Sequence, residues 1–134
     1  METAPINILY AEDDNVDIMS FQRMLKKNAV PHHLCIANNG REALEHLRGV
    51  NGRDKFIPDI IFTDINMPQM NGLEMMKAVR EDAAIAAFPI VVLTTSDLEA
   101  DRNEAMKHAA INYFVKPIDI AYFLEVTAGV RKQS

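Results

Sequence analysis

The sequence predicts an α/β domain in which helices cover both faces of a parallel sheet. Short apolar, β-favouring runs alternate with stretches of helical periodicity along the whole chain. A parallel step between strands needs a crossover, and a helix supplies it. The runs are nearly continuous in apolar residues, as in "PIVVLTT" (Pro89–Thr95), which suits strands covered on both sides. With 134 residues the chain fills one domain and is too short for two ordinary ones.

The first run, "INILYA", starts at Ile6 and ends against Glu12, Asp13 and Asp14. A helix is expected from about Val16 to Ala29, with Ile18, Phe21, Met24 and Leu25 on one face and Asp14 or Asn15 as its cap. "HLCIAN" (His33–Asn38) is the second strand, and Asn39-Gly40 turns into a helix carrying Ala43, Leu44 and Leu47. The loop "RGVNGRDKF" (Arg48–Phe56) leads through Pro58 to the third strand, "DIIFTD", which ends on Asp64. Asp59, at its start, reads as an ordinary boundary residue. Leu73, Met76 and Val79 mark the third helix, and Pro89 opens the fourth strand. A more polar helix spans Asp97 to Ala109 before the fifth strand, "NYFVK". The last helix runs from about Asp119 to Val130. Its apolar stripe is Ile120, Phe123, Val126 or Thr127, and Val130, which leaves Ala121 and Tyr122 off the docked face.

Composition narrows the function. Hydrophobic residues at 49% and charged residues at 25% are those of a globular protein. A net charge of −5 opposes phosphate backbones and anionic lipid surfaces, so neither nucleic acid nor membrane is expected as a partner. Cys35 is the single cysteine, which forbids an intrachain disulfide and fits a reducing compartment. No leader pattern or membrane-length apolar run is visible, and a cytoplasmic location is expected. His32, His33, His46 and His108 form no metal-binding spacing and read as structural or surface residues.

Chemistry in such a sheet belongs at the carboxyl ends of the strands, near the point where strand order reverses. The residues there are Glu12, Asp13 and Asp14 after strand one, Asp64 after strand three, Thr94, Thr95 and Ser96 after strand four, and Lys116-Pro117 after strand five. Carboxylates brought together repel one another, and a hard divalent cation relieves that repulsion. Oxygen ligands without histidine or thiolate favour Mg²⁺, with Mn²⁺ as a substitute. Positions left open on such a cation suit phosphoryl oxygens, Lys116 adds a positive charge, and Thr94 adds a hydrogen-bond donor. Asp64 is then a carboxylate nucleophile able to form an aspartyl phosphate.

Four motifs together carry a family resemblance: "EDD" at Glu12–Asp14, "DINMPQMNG" from Asp64 to Gly72, "LTTS" at Leu93–Ser96, and "KP" at Lys116-Pro117. With 30 positions from Asp64 to Thr94 and 22 from Thr94 to Lys116, the chain resembles the receiver domain of two-component response regulators over residues 6–131. The resemblance implies a flavodoxin-like doubly wound sheet of five parallel strands in order 2-1-3-4-5, flanked by five helices. It implies a single-domain regulator, without an output domain, that accepts a phosphoryl group on Asp64 from a sensor histidine kinase or a phosphotransfer protein. Catalysis would be limited to its own phosphorylation and dephosphorylation.

By the same resemblance Asp13 and Asp64 ligate Mg²⁺, Glu12 assists through water, and the backbone carbonyl of Asn66 completes the protein ligands. Lys116 bridges Asp64 and the phosphoryl group, across a cis Lys116-Pro117 bond. Thr94 binds a phosphoryl oxygen, and Tyr113 is the aromatic switch that follows it. The output surface would be the face of helix four, strand five and helix five, with Tyr113 and Tyr122, docking a downstream protein or a second copy. Thr95 stands where many members have alanine, which narrows the approach to the site. Asn112 takes a turn position often held by glycine, where asparagine tolerates positive φ. The long loop and "VVLTTSD" resemble the stand-alone regulators of bacterial phytochromes and related sensor kinases. A phosphorelay intermediate is an alternative role. A Mg²⁺-dependent phosphohydrolase is disfavoured, because such enzymes place a second aspartate where Asn66 stands and need a cap for which the chain has no spare length.

Overall fold

The structure is a computed structural model describing residues 4–131. Five strands, β1 (Ile6–Ala11), β2 (His32–Ala37), β3 (Ile60–Thr63), β4 (Ile90–Thr94) and β5 (Asn112–Val115), form one parallel sheet in the order β2-β1-β3-β4-β5. The helices are α1 (Asn15–Lys27), α2 (Gly40–Arg48), α3 (Gly72–Glu81), α4 (Glu99–Lys107) and α5 (Ile120–Arg131). The predicted topology is the observed one. Because β1 has β2 on one side and β3 on the other, the winding reverses between β1 and β3, and their carboxyl ends open the crevice.

Side chains alternate across the sheet and build two cores. Ile8 and Tyr10 of β1 join Ile60 and Phe62 of β3 and Val91 and Leu93 of β4 on one face, under Phe21 and Leu25 of α1 and Phe123 of α5. Leu9, Ile61 and Val92 point the other way, beneath Leu44 and Leu47 of α2 and Met75, Met76 and Val79 of α3. On the first face, aromatic rings interlock: Tyr10 lies 4.5 Å from Phe21, and Phe62 stacks on Phe123 at 5.8 Å. Each fully buried ring of this kind contributes roughly 1.5–3 kcal/mol. The docking stripe of α5 follows the expected spacing, with Phe123 and Thr127 buried and Ile120, Val126 and Val130 partly so. Ala121 and Tyr122 face outward.

Caps set where the helices begin. Asp14 Oδ1 accepts from the backbone N–H groups of Val16 and Asp17, which starts α1. Asn39 caps α2 through Glu42 N–H. Asn71 and Glu74 form a reciprocal capping box on α3. The fourth helix is shorter than its pattern. It starts at Glu99 after Leu98, with no side-chain cap, and the Ser96 hydroxyl accepts from Leu98 N–H in the turn before it.

Two expectations need correction. Asn112 is not a positive-φ turn residue: it opens β5, and its Oδ1 accepts from Tyr113 N–H. The left-handed position in this turn is Ala109, at φ 59°, three residues earlier. Asp59 is more than a boundary residue. Its carboxylate accepts from Asn7 N–H at 2.7 Å while its own N–H donates to Asn7 C=O at 2.7 Å, which fixes the register of β3 against β1.

Candidate functional site

Pairing places the acids. Asp64 N–H donates to Ala11 C=O, which holds the tip of β3 beside β1, and Glu12 N–H donates to Ala37 C=O, which holds the tip of β1 beside β2. Carboxylate oxygens of Glu12, Asp13 and Asp64 come within 4.8 Å of one another. Glu12 is fully buried, Asp64 nearly so, and Asp13 exposed. A helix start close behind the crevice defines its floor: Gly72, the first residue of α3, packs against the backbone carbonyl of Asp64 and donates its N–H to Ile65 C=O at 2.9 Å.

Glu12 is held by an unusually complete set of donors. Its Oε2 accepts from Asp13 and Asp14 N–H, both at 3.1 Å, and its Oε1 accepts from the Tyr10 hydroxyl at 3.2 Å and from Lys116. Burial raises the Glu12 carboxyl to about 6, with the Asp64 charge adding to the rise and the Lys116 hydrogen bond opposing it. Burial, reinforced by the Glu12 charge, pushes the Tyr10 hydroxyl far above the ordinary tyrosine value, so it stays a donor. Asp64 Oδ1 accepts from Ile65 N–H at 2.7 Å, and its Oδ2 from Lys116 Nζ at 3.0 Å.

Lys116 reaches the site from the end of β5 across a cis Lys116-Pro117 peptide bond, as expected. Its side chain is 8% exposed, so it is no surface lysine. The ammonium meets Glu12, Asp64 and a third carboxylate, Asp17 of α1, at 2.6 Å. Burial alone would lower the lysine pKa. Hydrogen bonds to Asp17, Glu12 and Asp64 outweigh it and hold the group above its usual value.

Thr94 is fully buried at the end of β4, where its hydroxyl accepts from Ser96 N–H at 3.3 Å. Ser96 C=O in turn accepts from the Tyr113 hydroxyl at 2.8 Å, and Ser96 Oγ donates to Asp101 at 2.7 Å. Tyr113 is buried, with the Arg102 guanidinium 4.5 Å from its ring centre. A continuous chain of contacts therefore runs from Thr94 through Ser96 to Tyr113 and α4. Thr95, Asn66 and Pro117 are exposed at the rim.

The structure thus assembles Glu12, Asp13, Asp64, Thr94 and Lys116 on one sheet edge, with Tyr113 behind it. Tyr122 lies elsewhere, 54% exposed on α5 and stacked on Phe114 at 5.4 Å. Sequence reasoning missed Asp17 and Tyr10, and it placed Ser96 at the end of strand four without giving it a role. Asp17 reads as a first-turn acid favourable to the helix dipole, and nothing in its spacing points to a lysine 99 positions away.

Comparison with known proteins agrees with this geometry. The family described as response regulator receiver domain matches residues 8–128. The protein PilH of Pseudomonas aeruginosa is 30% identical over 123 residues, covering 92% of this chain and 95% of that protein. The chemotaxis protein CheY1 of Helicobacter pylori is 37% identical over 106 residues, covering 76% and 82%. A two-component response regulator from Legionella pneumophila superposes with TM-score 0.86 at 32% identity, covering 95% of this chain and 98% of that one. The Mn²⁺-bound response regulator Rcp1 superposes with TM-score 0.78 at 27% identity, covering 94% and 91%.

Proposed function

The chain belongs to the response regulator receiver family, a family of phosphoaccepting signalling proteins, and on that premise we propose that Asp64 is its phosphoacceptor. The observation that carries the reading is the nearly buried Asp64 carboxylate, bonded to Lys116 and grouped with Glu12 and Asp13. A carboxylate oxygen of Asp64 attacks the phosphorus of a phosphohistidine. The new O–P bond forms as the P–N bond breaks, and the electron pair leaves with the imidazole of the donor. The product is an acyl phosphate on Asp64, which water later hydrolyses to return the carboxylate.

Lys116 neutralises charge between Asp64 and the incoming phosphoryl group, and the Thr94 hydroxyl turns from Ser96 to donate to a phosphoryl oxygen. The donor set fits a hard divalent cation: oxygens only, within 4.8 Å of one another, with negative charge that one lysine does not balance. Asp13 and Asp64 would hold Mg²⁺ or Mn²⁺, with Glu12 acting through water and the Asn66 carbonyl as a further ligand. When bound, the cation supplies charge neutralisation for the phosphoryl oxygens.

Movement of Thr94 acts on Ser96 and so on Tyr113, which opens the face of α4, β5 and α5 to a protein partner or a second copy. Exposed Tyr122, Leu124 and Val115 support that surface. The donor is a sensor histidine kinase or phosphotransfer protein. Similarity to the phosphorylated cyanobacterial phytochrome response regulator RcpA, at 28% identity and TM-score 0.76, supports a phytochrome-type sensor. Among the described residues no helix is long and apolar enough to cross a membrane, and a cytoplasmic site of action fits such a donor. Incubation with acetyl phosphate and Mg²⁺ should give one acid-stable, base-labile phosphoryl group per chain, absent from Asp64→Asn. Undiminished labelling of that variant would refute the assignment.

A further inference from the structure

We propose that Asp17 is a positioning residue for Lys116, the anchor that keeps the ammonium in place while the other carboxylates around it are engaged. The inference rests on the functional reading above. An ammonium has three donors, and here three carboxylates surround Nζ: Glu12 from the end of β1, Asp64 from the end of β3, and Asp17 from the first turn of α1.

These three partners are not equivalent. Glu12 and Asp64 belong to the group of acids that can hold a cation, and Asp17 does not. Once a cation and a phosphoryl group occupy the site, charge on Glu12 and Asp64 is shared with them. Asp17 then remains as the carboxylate committed to the lysine. Its own side chain is 31% exposed, so keeping it charged costs little desolvation, while the lysine it holds is 8% exposed. The main chain at Asp17 is held in the first turn of α1, where its N–H donates to Asp14 Oδ1 at 3.2 Å.

An unanchored lysine has room to stray. Asp17 and Lys116 both line a cavity of about 290 Å³ together with Ser20 and Met24. The flexible four-carbon stem of a lysine makes such a displacement easy. Without Asp17 the ammonium is also left to Glu12 and Asp64 alone, the two carboxylates it shares with the cation-binding group.

Acetyl phosphate labelling at saturating Mg²⁺ tests the proposal with Asp17→Asn, Asp17→Glu, Lys116→Met and the double variant Asp17→Asn/Lys116→Met. Asp17→Asn should slow labelling about tenfold, short of the roughly 100-fold that a 1 Å misplacement can cost. Asp17→Glu should recover most of that loss. In the Lys116→Met background Asp17→Asn should cause no further loss, because the group it positions is gone. A full additional loss in that background, or wild-type labelling by Asp17→Asn, overturns the proposal. Nitrogen-15 NMR of the lysine ammonium groups separates this from the functional reading. The Lys116 signal should be sharp and slowly exchanging in the wild type and broadened in Asp17→Asn. An unchanged signal overturns the anchor alone, whereas an unlabelled wild type overturns the functional reading and the catalytic half of the inference with it.

Discussion

Replacing Gly72 by alanine should damage the protein, although alanine favours helices over glycine by about 0.8–1.0 kcal/mol. Gly72 begins α3, and a Cβ there would meet the backbone carbonyl oxygen of Asp64 head-on, with the Asp64 carbonyl carbon at 3.0 Å and Ile65 Cα at 3.1 Å. All three are main-chain atoms, so no side chain can swing aside. The β3 tip is tied to β1 by Asp64 N–H to Ala11 C=O at 3.0 Å, which restrains its retreat. Overpacking of this kind costs about 1–3 kcal/mol. At the midpoint of that range the melting temperature of a domain of this size falls by roughly 8 °C. The carbonyl must retreat on the order of 1 Å, and a positioned reaction loses roughly 100-fold for a shift of that size. Gly129 of α5 provides the opposite case: a Cβ there meets nothing within 4 Å, so Gly129→Ala should gain about 0.5–1 kcal/mol. Thermal unfolding by circular dichroism and acetyl phosphate labelling of both variants read these effects. If Gly72→Ala is as stable and as readily phosphorylated as the wild type, the packing of α3 against the Asp64 carbonyl is not what shapes the crevice.

Asp13→Ala should weaken Mg²⁺ binding by at least about tenfold, as even outer-shell losses at metal sites cost that much. Calorimetric titration checks it, and normal affinity would remove Asp13 from the ligand set. Phe123→Ala empties a fully buried position against Phe62 and should cost about 3–5 kcal/mol in urea unfolding. A loss under about 1 kcal/mol would mean that α5 is not docked through this ring. Beryllofluoride with Mg²⁺ should raise the sedimentation coefficient or the affinity for a partner kinase, and Tyr122→Glu should reverse the gain. Identical behaviour of both forms would place the output surface elsewhere.

Much of this was legible in the sequence because it depends on local periodicity and fixed spacing. The buried strands, the Asp14 and Asn39 caps and the four strand-end motifs all follow from short-range physics. What escaped depends on which side chains meet after folding. Asp17 and Lys116 come from distant parts of the chain, and only the packing of α1 and α5 on one face of the sheet joins them. Ser96 reads as one more loop hydroxyl until its contacts to Thr94, Tyr113 and Asp101 are seen together. The turn before β5 misled for a different reason. Asparagine is the better left-handed residue, yet the positive φ falls on Ala109 at the end of α4, where N–H groups of Ala109 and Ala110 close back onto the helix.

The central claim is that the chain stores its signal on one carboxylate at the tip of β3. The most direct measurement is to phosphorylate the protein with acetyl phosphate and Mg²⁺, trap the acyl phosphate by borohydride reduction, and map the peptides by mass spectrometry. Reduction converts a phosphorylated aspartate to homoserine, so the account predicts homoserine at Asp64 and at no other position. Homoserine at Asp13 or Asp17, or a phosphoryl group carried on a histidine with Asp64 unmodified, would contradict it.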